Sequence, residues 1–145
     1  MALRRRLVTA ILGTAPFLLL EKRALANSGL SFIVFFDFGR TELSAPGRNT
    51  IAQFASSYLK WWSSDNDVAL YANTDTAEAS ESLAQARGEA VRMYLAELGV
   101  PVDRVIVFAY GGTRPLVITA PNVREPQNRR VEIVRTPFKP RSGTP

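Results

Sequence analysis

The sequence predicts a two-layer α/β sandwich in which a mixed parallel and antiparallel sheet carries helices on one face. Three observations lead there. Apolar β-branched or aromatic runs alternate with segments of helical period, in the order β-α-β-α-β-loop-β. Each strand-helix-strand unit favours a parallel crossover, which places the intervening helix on the sheet. The 145 residues are 46% hydrophobic and 21% charged, a balance that suits one globular core rather than a disordered or membrane-spanning chain.

The elements justify this class in turn. Residues 31–36 form a β-branched and aromatic run without alternation, the pattern of a strand covered on both faces, and are expected to be central in the sheet. Ser44 can cap the next segment and Pro46 suits its first turn. Ile51, Phe54, Ala55, Tyr58 and Trp62 then recur at helical spacing and should lie on the sheet. Residues 67–72 read as a second strand, and about 78–98 as a second helix ended by Gly99 and Pro101. Residues 104–110 are a third strand. A loop rich in proline and asparagine follows to about Gln127, longer than most connections in compact domains. In 130–135, Val131 and Ile133 alternate with Glu132, which suits a last strand with one wet face.

The N-terminus has the pattern of an export signal. Arg4, Arg5 and Arg6 precede the apolar run 7–20, and Ala24-Leu25-Ala26 offers a small-x-small cleavage pattern, so residues 1–26 are expected to be removed. The run is shorter than the roughly 20 residues a spanning helix needs. Removing five of the 18 basic and one of the 13 acidic residues leaves 13 against 12, a net charge of +1. The high overall pI therefore belongs largely to the discarded segment, and no nucleic-acid partner is expected. Cysteine and histidine are absent. That excludes thiolate nucleophiles, Cys- or His-ligated zinc and the commonest general base, and no cofactor or metal is expected.

The second helix carries an oddity. Its inward stripe reads Leu83, Arg87, Ala90, Val91, Tyr94 and Leu98, so an arginine sits among apolar positions. A guanidinium does not lose its proton in a protein, and once buried it needs an acceptor, a carboxylate above all. By connectivity the nearest is Asp75, at the end of the second strand. Two readings stand side by side. In one, Asp75 caps the second helix, with Glu78 completing a capping box, and Arg87 forms an internal ion pair with it or with a neighbour. In the other, Asp75 and Arg87 offer opposite charges to a ligand that carries both an ammonium and a carboxylate.

Asn73-Thr74-Asp75, Leu83-Ala84-Gln85-Ala86-Arg87, Tyr110-Gly111-Gly112-Thr113-Arg114-Pro115 and Asn128-Arg129-Arg130-Val131-Glu132-Ile133, with the opening Phe36-Asp37-Phe38 and Leu43, resemble the OmpA-like C-terminal peptidoglycan-binding domain. The resemblance covers about 31–135, within an expected domain of 27–136 that precedes a frayed tail, 137–145. It implies non-covalent binding of peptidoglycan, with Asp75 holding the amino group of diaminopimelate in the stem peptide and Arg87 its carboxylate. Phe38, Asn73, Thr74, Leu83 and Arg130 are the flanking ligand-binding candidates. Asn128 and Arg129 read as structural. The implied setting is the periplasm, at the cell wall and beside the outer membrane, with an envelope protein as a further partner.

This chain also departs from the family pattern. Ala72-Asn73 replaces the usual Gly-His or Gly-Tyr, Gly39 stands where an aspartate is common, Ser80 replaces a helix asparagine, and the connection from Asp75 to Arg87 is a few residues shorter. The rival classes are a carboxylate-dependent cell-wall hydrolase, using Asp37, Glu42 or Asp75, and a protein-interaction module built on Trp61 and Trp62. Two-carboxylate hydrolysis needs a defined separation across a scissile bond, and no pair in the sequence specifies one.

Overall fold

Ser44 begins the first helix as its spacing predicts: its Oγ accepts the Gly47 N–H at 3.1 Å, and Pro46 occupies the first turn. In the computed structural model, which describes residues 32–62 and 66–137, six main elements follow one another. They are β1 (Phe32–Phe35), α1 (Ala45–Trp61), β2 (Asn66–Asn73), α2 (Glu81–Glu97), β3 (Val105–Gly111) and β4 (Arg130–Pro137). Short 3-10 turns at Val102–Arg104 and Pro126–Asn128 lead into β3 and β4. The signal segment 1–26 and the tail beyond 137 lie outside the described residues, and Pro137, expected in that tail, is the last residue of β4.

The four strands form one sheet in the order β1-β4-β2-β3. β2 and β3 are parallel and are joined through α2, whereas β4 runs antiparallel to both of its neighbours. This corrects the placement of β1, which is an edge strand with Phe35 48% exposed, while β4 is interior. Alternation reports how many faces of a strand are covered, not whether its edges are paired. β4 has both edges hydrogen-bonded and one face open, so it alternates although it is central. β1 has an unbroken apolar run although Ile33 and Phe35 sit on the open face, so the run does not report a second covered face.

The helices cover one face. Val34, Phe36, Val68, Leu70, Ala72, Val105, Val131 and Ile133 meet Ile51, Phe54, Ala55 and Tyr58 of α1 and Ala84, Val91 and Leu95 of α2 in a continuous core. Burying each large apolar side chain contributes roughly 1.5–3 kcal/mol. The stripe on α2 is turned by about one position from the expected one: Ala84, Arg87, Gly88, Val91 and Leu95 are buried, while Leu83, Ala90, Tyr94 and Leu98 lie at its margin. Gly88 is the reason. A Cβ there would stand 2.4 Å from Val107 Cγ1, so the absent side chain lets α2 press directly on β3. Hydrophobicity does not reveal such a contact, because glycine contributes shape rather than apolar area. Among the described residues, no helix is long and apolar enough to cross a membrane.

Candidate functional site

The site lies at the end of the sheet where β2 and β3 finish. Thr74 N–H donates to Gly111 O at 2.8 Å and closes the end of β2, which leaves Asp75 to open the turn before α2. Helix α2 is capped by Ser80, whose Oγ accepts the Leu83 N–H at 3.1 Å, and not by Asp75. Asp75 caps the preceding turn instead. Its Oδ1 accepts from Ala77 N and Glu78 N, both at 3.0 Å. Its Oδ2 accepts from Glu125 N at 3.1 Å and Arg129 Nη1 at 2.9 Å. Arg129 in turn donates its Nε to Phe36 O at 3.0 Å. Asp75 is 0% exposed, and its four acceptor contacts tie the turn after β2 to Glu125 of the long loop and to Arg129.

Arg87, also 0% exposed, finds its anion in Glu78. Its Nη1 pairs with Glu78 Oε2, and its Nη2 donates to Glu78 Oε1 at 3.1 Å. The remaining donors go to backbone carbonyls: Nε to Arg40 O at 2.9 Å, Nη2 to Asp37 O at 3.0 Å and Nη1 to Asn73 O at 3.4 Å. The Phe36 ring lies 5.3 Å from the guanidinium carbon. Connectivity pointed to Asp75 as the nearest acceptor, but the turn swings the Asp75 carboxylate toward Arg129 and brings the Glu78 carboxylate onto Arg87. The second oxygen contact of Glu78 explains Gly39, whose N–H donates to Oε1 at 3.0 Å from a left-handed backbone, φ +66°.

Glu78 therefore joins the two predicted residues. Its N–H rests on Asp75 and its carboxylate on Arg87, so one amino-acid unit of the chain spans them with an N–H at one end and a carboxylate at the other. In the sequence Glu78 reads only as a capping partner. Its separation from Arg87 is not a helical spacing, and only the path of the turn brings the two groups together. Beside this network, a cavity of about 460 Å³ opens between Phe36, Asp37, Glu42, Pro126, Gln127 and Arg129.

Residues 35–129 match the model of the OmpA family. The chain belongs to the OmpA family. It is 34% identical over 111 residues to an outer membrane protein of Gluconacetobacter diazotrophicus, covering 72% of this chain and 29% of that one. It is 29% identical over 107 residues to a peptidoglycan-associated lipoprotein of Brucella melitensis, covering 70% of this chain and 61% of that relative. The chain thus spans less than two thirds of the length of these relatives. Among solved structures, the peptidoglycan-associated lipoprotein of Burkholderia pseudomallei superposes with a TM-score of 0.59 at 27% identity, covering 72% of this chain and 89% of that one. The C-terminal domain of Helicobacter pylori MotB, at 23% identity and a TM-score of 0.60 over 73% of this chain and 83% of that one, shares the fold.

Within this OmpA-family domain the other predicted residues divide between two surfaces. Thr74 is buried, and its Oγ1 accepts the Ser80 N–H at 3.3 Å, which braces the turn that holds Asp75. Leu83 is half-buried in the first turn of α2. Phe38 is half-buried under Arg124, whose guanidinium carbon lies 3.7 Å from the ring centre. Asn73 and Arg130, by contrast, turn their side chains to the open face of the sheet, where they line a separate cavity with Tyr71 and Glu132. The long loop is held from below: Asn128, fully buried, accepts Leu116 N and Val117 N on Oδ1 at 2.8 and 2.9 Å and donates Nδ2 to Val117 O at 2.7 Å. Asn128 thus braces the long loop, while Arg129 joins the Asp75 carboxylate to the Phe36 carbonyl.

Proposed function

We propose that this protein binds peptidoglycan non-covalently in the periplasm, through the diaminopimelate of the stem peptide, and serves as a scaffold or anchor in the cell envelope rather than as an enzyme. The observation that carries the reading is Glu78 itself. A unit bearing an N–H and a carboxylate fits between Asp75 and Arg87, which is the polarity required of a diaminopimelate centre with its ammonium on Asp75 and its carboxylate on Arg87. Membership in the OmpA family, with relatives named as peptidoglycan-associated, supports the same ligand. In this reading the ligand carboxylate exchanges with that of Glu78, and the gain in binding is the difference between two similar ion pairs. Affinity is correspondingly modest.

Hydrolysis fits less well. Glu42, on the rim cavity, has its pKa lowered from 4.5 by backbone hydrogen bonds from its own amide and that of Thr41. A general acid requires the opposite shift. A protein-interaction surface is a second reading, favoured by Trp61, which is 68% exposed with the Lys60 ammonium 4.8 Å from its ring.

Co-sedimentation with purified sacculi tests the binding, with free diaminopimelate as competitor and Asp75→Ala and Arg87→Ala as variants whose folding is checked by circular dichroism. The expected result is pelleting that diaminopimelate abolishes and both substitutions weaken. Pelleting that survives both substitutions and the competitor removes the site. Release of soluble fragments from the same sacculi would replace the binder with a hydrolase.

A further inference from the structure

Both members of the Asp75–Arg87 pair are sealed, each 0% exposed. An ionised carboxylate offers roughly four acceptor positions, and Asp75 gives them to Ala77 N, Glu78 N, Glu125 N and Arg129 Nη1. A ligand reaches the pair only when part of the chain moves off it. The segment that touches both residues is 76–79, between the end of β2 and the Ser80 cap of α2. Among the described residues, no backbone–backbone hydrogen bond holds it. Side chains hold it instead. The Asp75 carboxylate accepts its Ala77 and Glu78 amides, and Glu78 pairs with Arg87 and accepts the Gly39 N–H. The Thr76 hydroxyl binds the long loop: it donates to Ala120 O at 2.8 Å and accepts the Val123 N–H at 3.0 Å, with Thr119 Oγ1 at 3.2 Å. Ser80 keeps bonds of its own, its N–H on Thr74 Oγ1 and its Oγ on the Leu83 N–H, so α2 stays capped if 76–79 moves.

We infer that residues 76–79 form a strap that leaves the site as one unit, and that the Thr76 hydroxyl is the latch that keeps it shut. The ligand side of this inference rests on the proposed function. In that reading the ammonium takes the place of the strap amides on Asp75, and the carboxylate takes the place of Glu78 on Arg87. Nothing in the ligand replaces the hydrogen bonds of Thr76. They bias the strap toward the closed state, and the observed affinity is the intrinsic affinity multiplied by the fraction of chains that are open. The bonds to Ala120 O and from Val123 N are solvent-exposed, so water takes them over on opening and the bias is modest. Thr76 is therefore a positioning residue. It touches no ligand and acts through Glu78, the next residue but one.

The test compares wild type, Thr76→Val and Thr76→Ser by NMR-detected amide exchange and by titration with free diaminopimelate. Valine keeps the branched shape and removes the hydrogen bonds, whereas serine keeps the hydroxyl. In Thr76→Val the amides of Ala77, Glu78 and Gly39 should exchange about tenfold faster, the scale of two exposed hydrogen bonds, while those of Leu70 and Val131 in the core keep their wild-type rates. Gly39 makes the readout specific, because its N–H rests on Glu78 and is released only when the strap moves as a unit. Diaminopimelate should bind Thr76→Val about tenfold more tightly, and Thr76→Ser should match wild type in both measurements. A substitution that only loosened the fold would weaken the ligand instead of tightening it. Unchanged exchange at Ala77, Glu78 and Gly39, or an equal rise at Leu70 and Val131, overturns the strap. Faster strap exchange with unchanged or weaker diaminopimelate binding overturns its role as the barrier to the ligand. Faster strap exchange with no diaminopimelate bound by either protein leaves the strap standing and removes the proposed ligand.

Discussion

Replacing Glu78 by glutamine removes one charge and almost no volume, and so isolates what its carboxylate does. In the wild type both oxygens face Arg87 and one also accepts the Gly39 N–H, with the side chains of Glu78 and Arg87 5% and 0% exposed. Removing one partner of a buried ion pair costs about 3–5 kcal/mol, because the other charge is left uncompensated. Three backbone carbonyls still accept from Arg87, and the glutamine carbonyl can retain one contact, so the loss belongs at the low end, about 3 kcal/mol. With a urea m-value of about 1–2 kcal/mol/M, the unfolding midpoint falls by about 2 M. The same change leaves Arg87 seeking an anion, so free diaminopimelate should bind Glu78→Gln more tightly than wild type and restore part of the lost stability by mass action. Urea titrations with and without diaminopimelate measure both effects. A Glu78→Gln midpoint equal to that of wild type would show that Glu78 does not neutralise Arg87 in solution. A destabilised variant with unchanged or weaker diaminopimelate binding would show that Glu78 does not occupy the ligand's place.

Other perturbations test the remaining links. Asp75→Asn keeps an acceptor for the turn but removes the charge facing Arg129, and should cost about 3 kcal/mol in urea unfolding, the low end for a broken buried pair. A cost below about 0.5 kcal/mol, the scale of ordinary surface changes, would place that pair in solvent. Gly88→Ala should destabilise by about 1–3 kcal/mol, less up to about 1 kcal/mol regained in helix propensity. Adding Val107→Ala should recover part of the loss in a double-mutant cycle, since Val107 Cγ1 is the atom the new methyl meets. Tyr58 is buried, and desolvation raises its pKa above the ordinary 10.0. The folded state therefore favours the protonated phenol. Its contribution is full below pH 10.0 and is lost as pH rises through the folded-state value. Tyr58→Phe loses the 2.8 Å hydrogen bond to Asn66 O, about 1 kcal/mol, but should show a flatter alkaline decline in denaturation between pH 9 and pH 12.

How far the fold and the site can be read along the chain depends on the range of the force involved. Both helices and all four strands follow from local periodicity, and Ser44 and Pro46 begin α1 where they should, whereas Ser80 and not Asp75 caps α2. The rotation of α2 was hidden, because the contact that orients it runs through Gly88, a residue with no apolar signal. The insertion of β4 between β1 and β2 was hidden as well, since alternation records covered faces and not neighbours. Asn73 and Arg130 were legible as polar residues at strand ends, but only the pleat decides that they face away from Asp75 and Arg87.

The chemistry of one residue on the α2 stripe already determined that Arg87 must meet an anion, because a guanidinium stays charged wherever the fold puts it. Which anion it meets was left open, since Asp75 and Glu78 are both near in the chain and both carboxylates. The turn decided it. With the Asp75 carboxylate held by the amides of Ala77, Glu78 and Glu125 and by Arg129, the Glu78 side chain is the one delivered to Arg87, beside the Gly39 amide. That delivery depends on strands distant in sequence closing around the turn, and no local pattern in the chain encodes it.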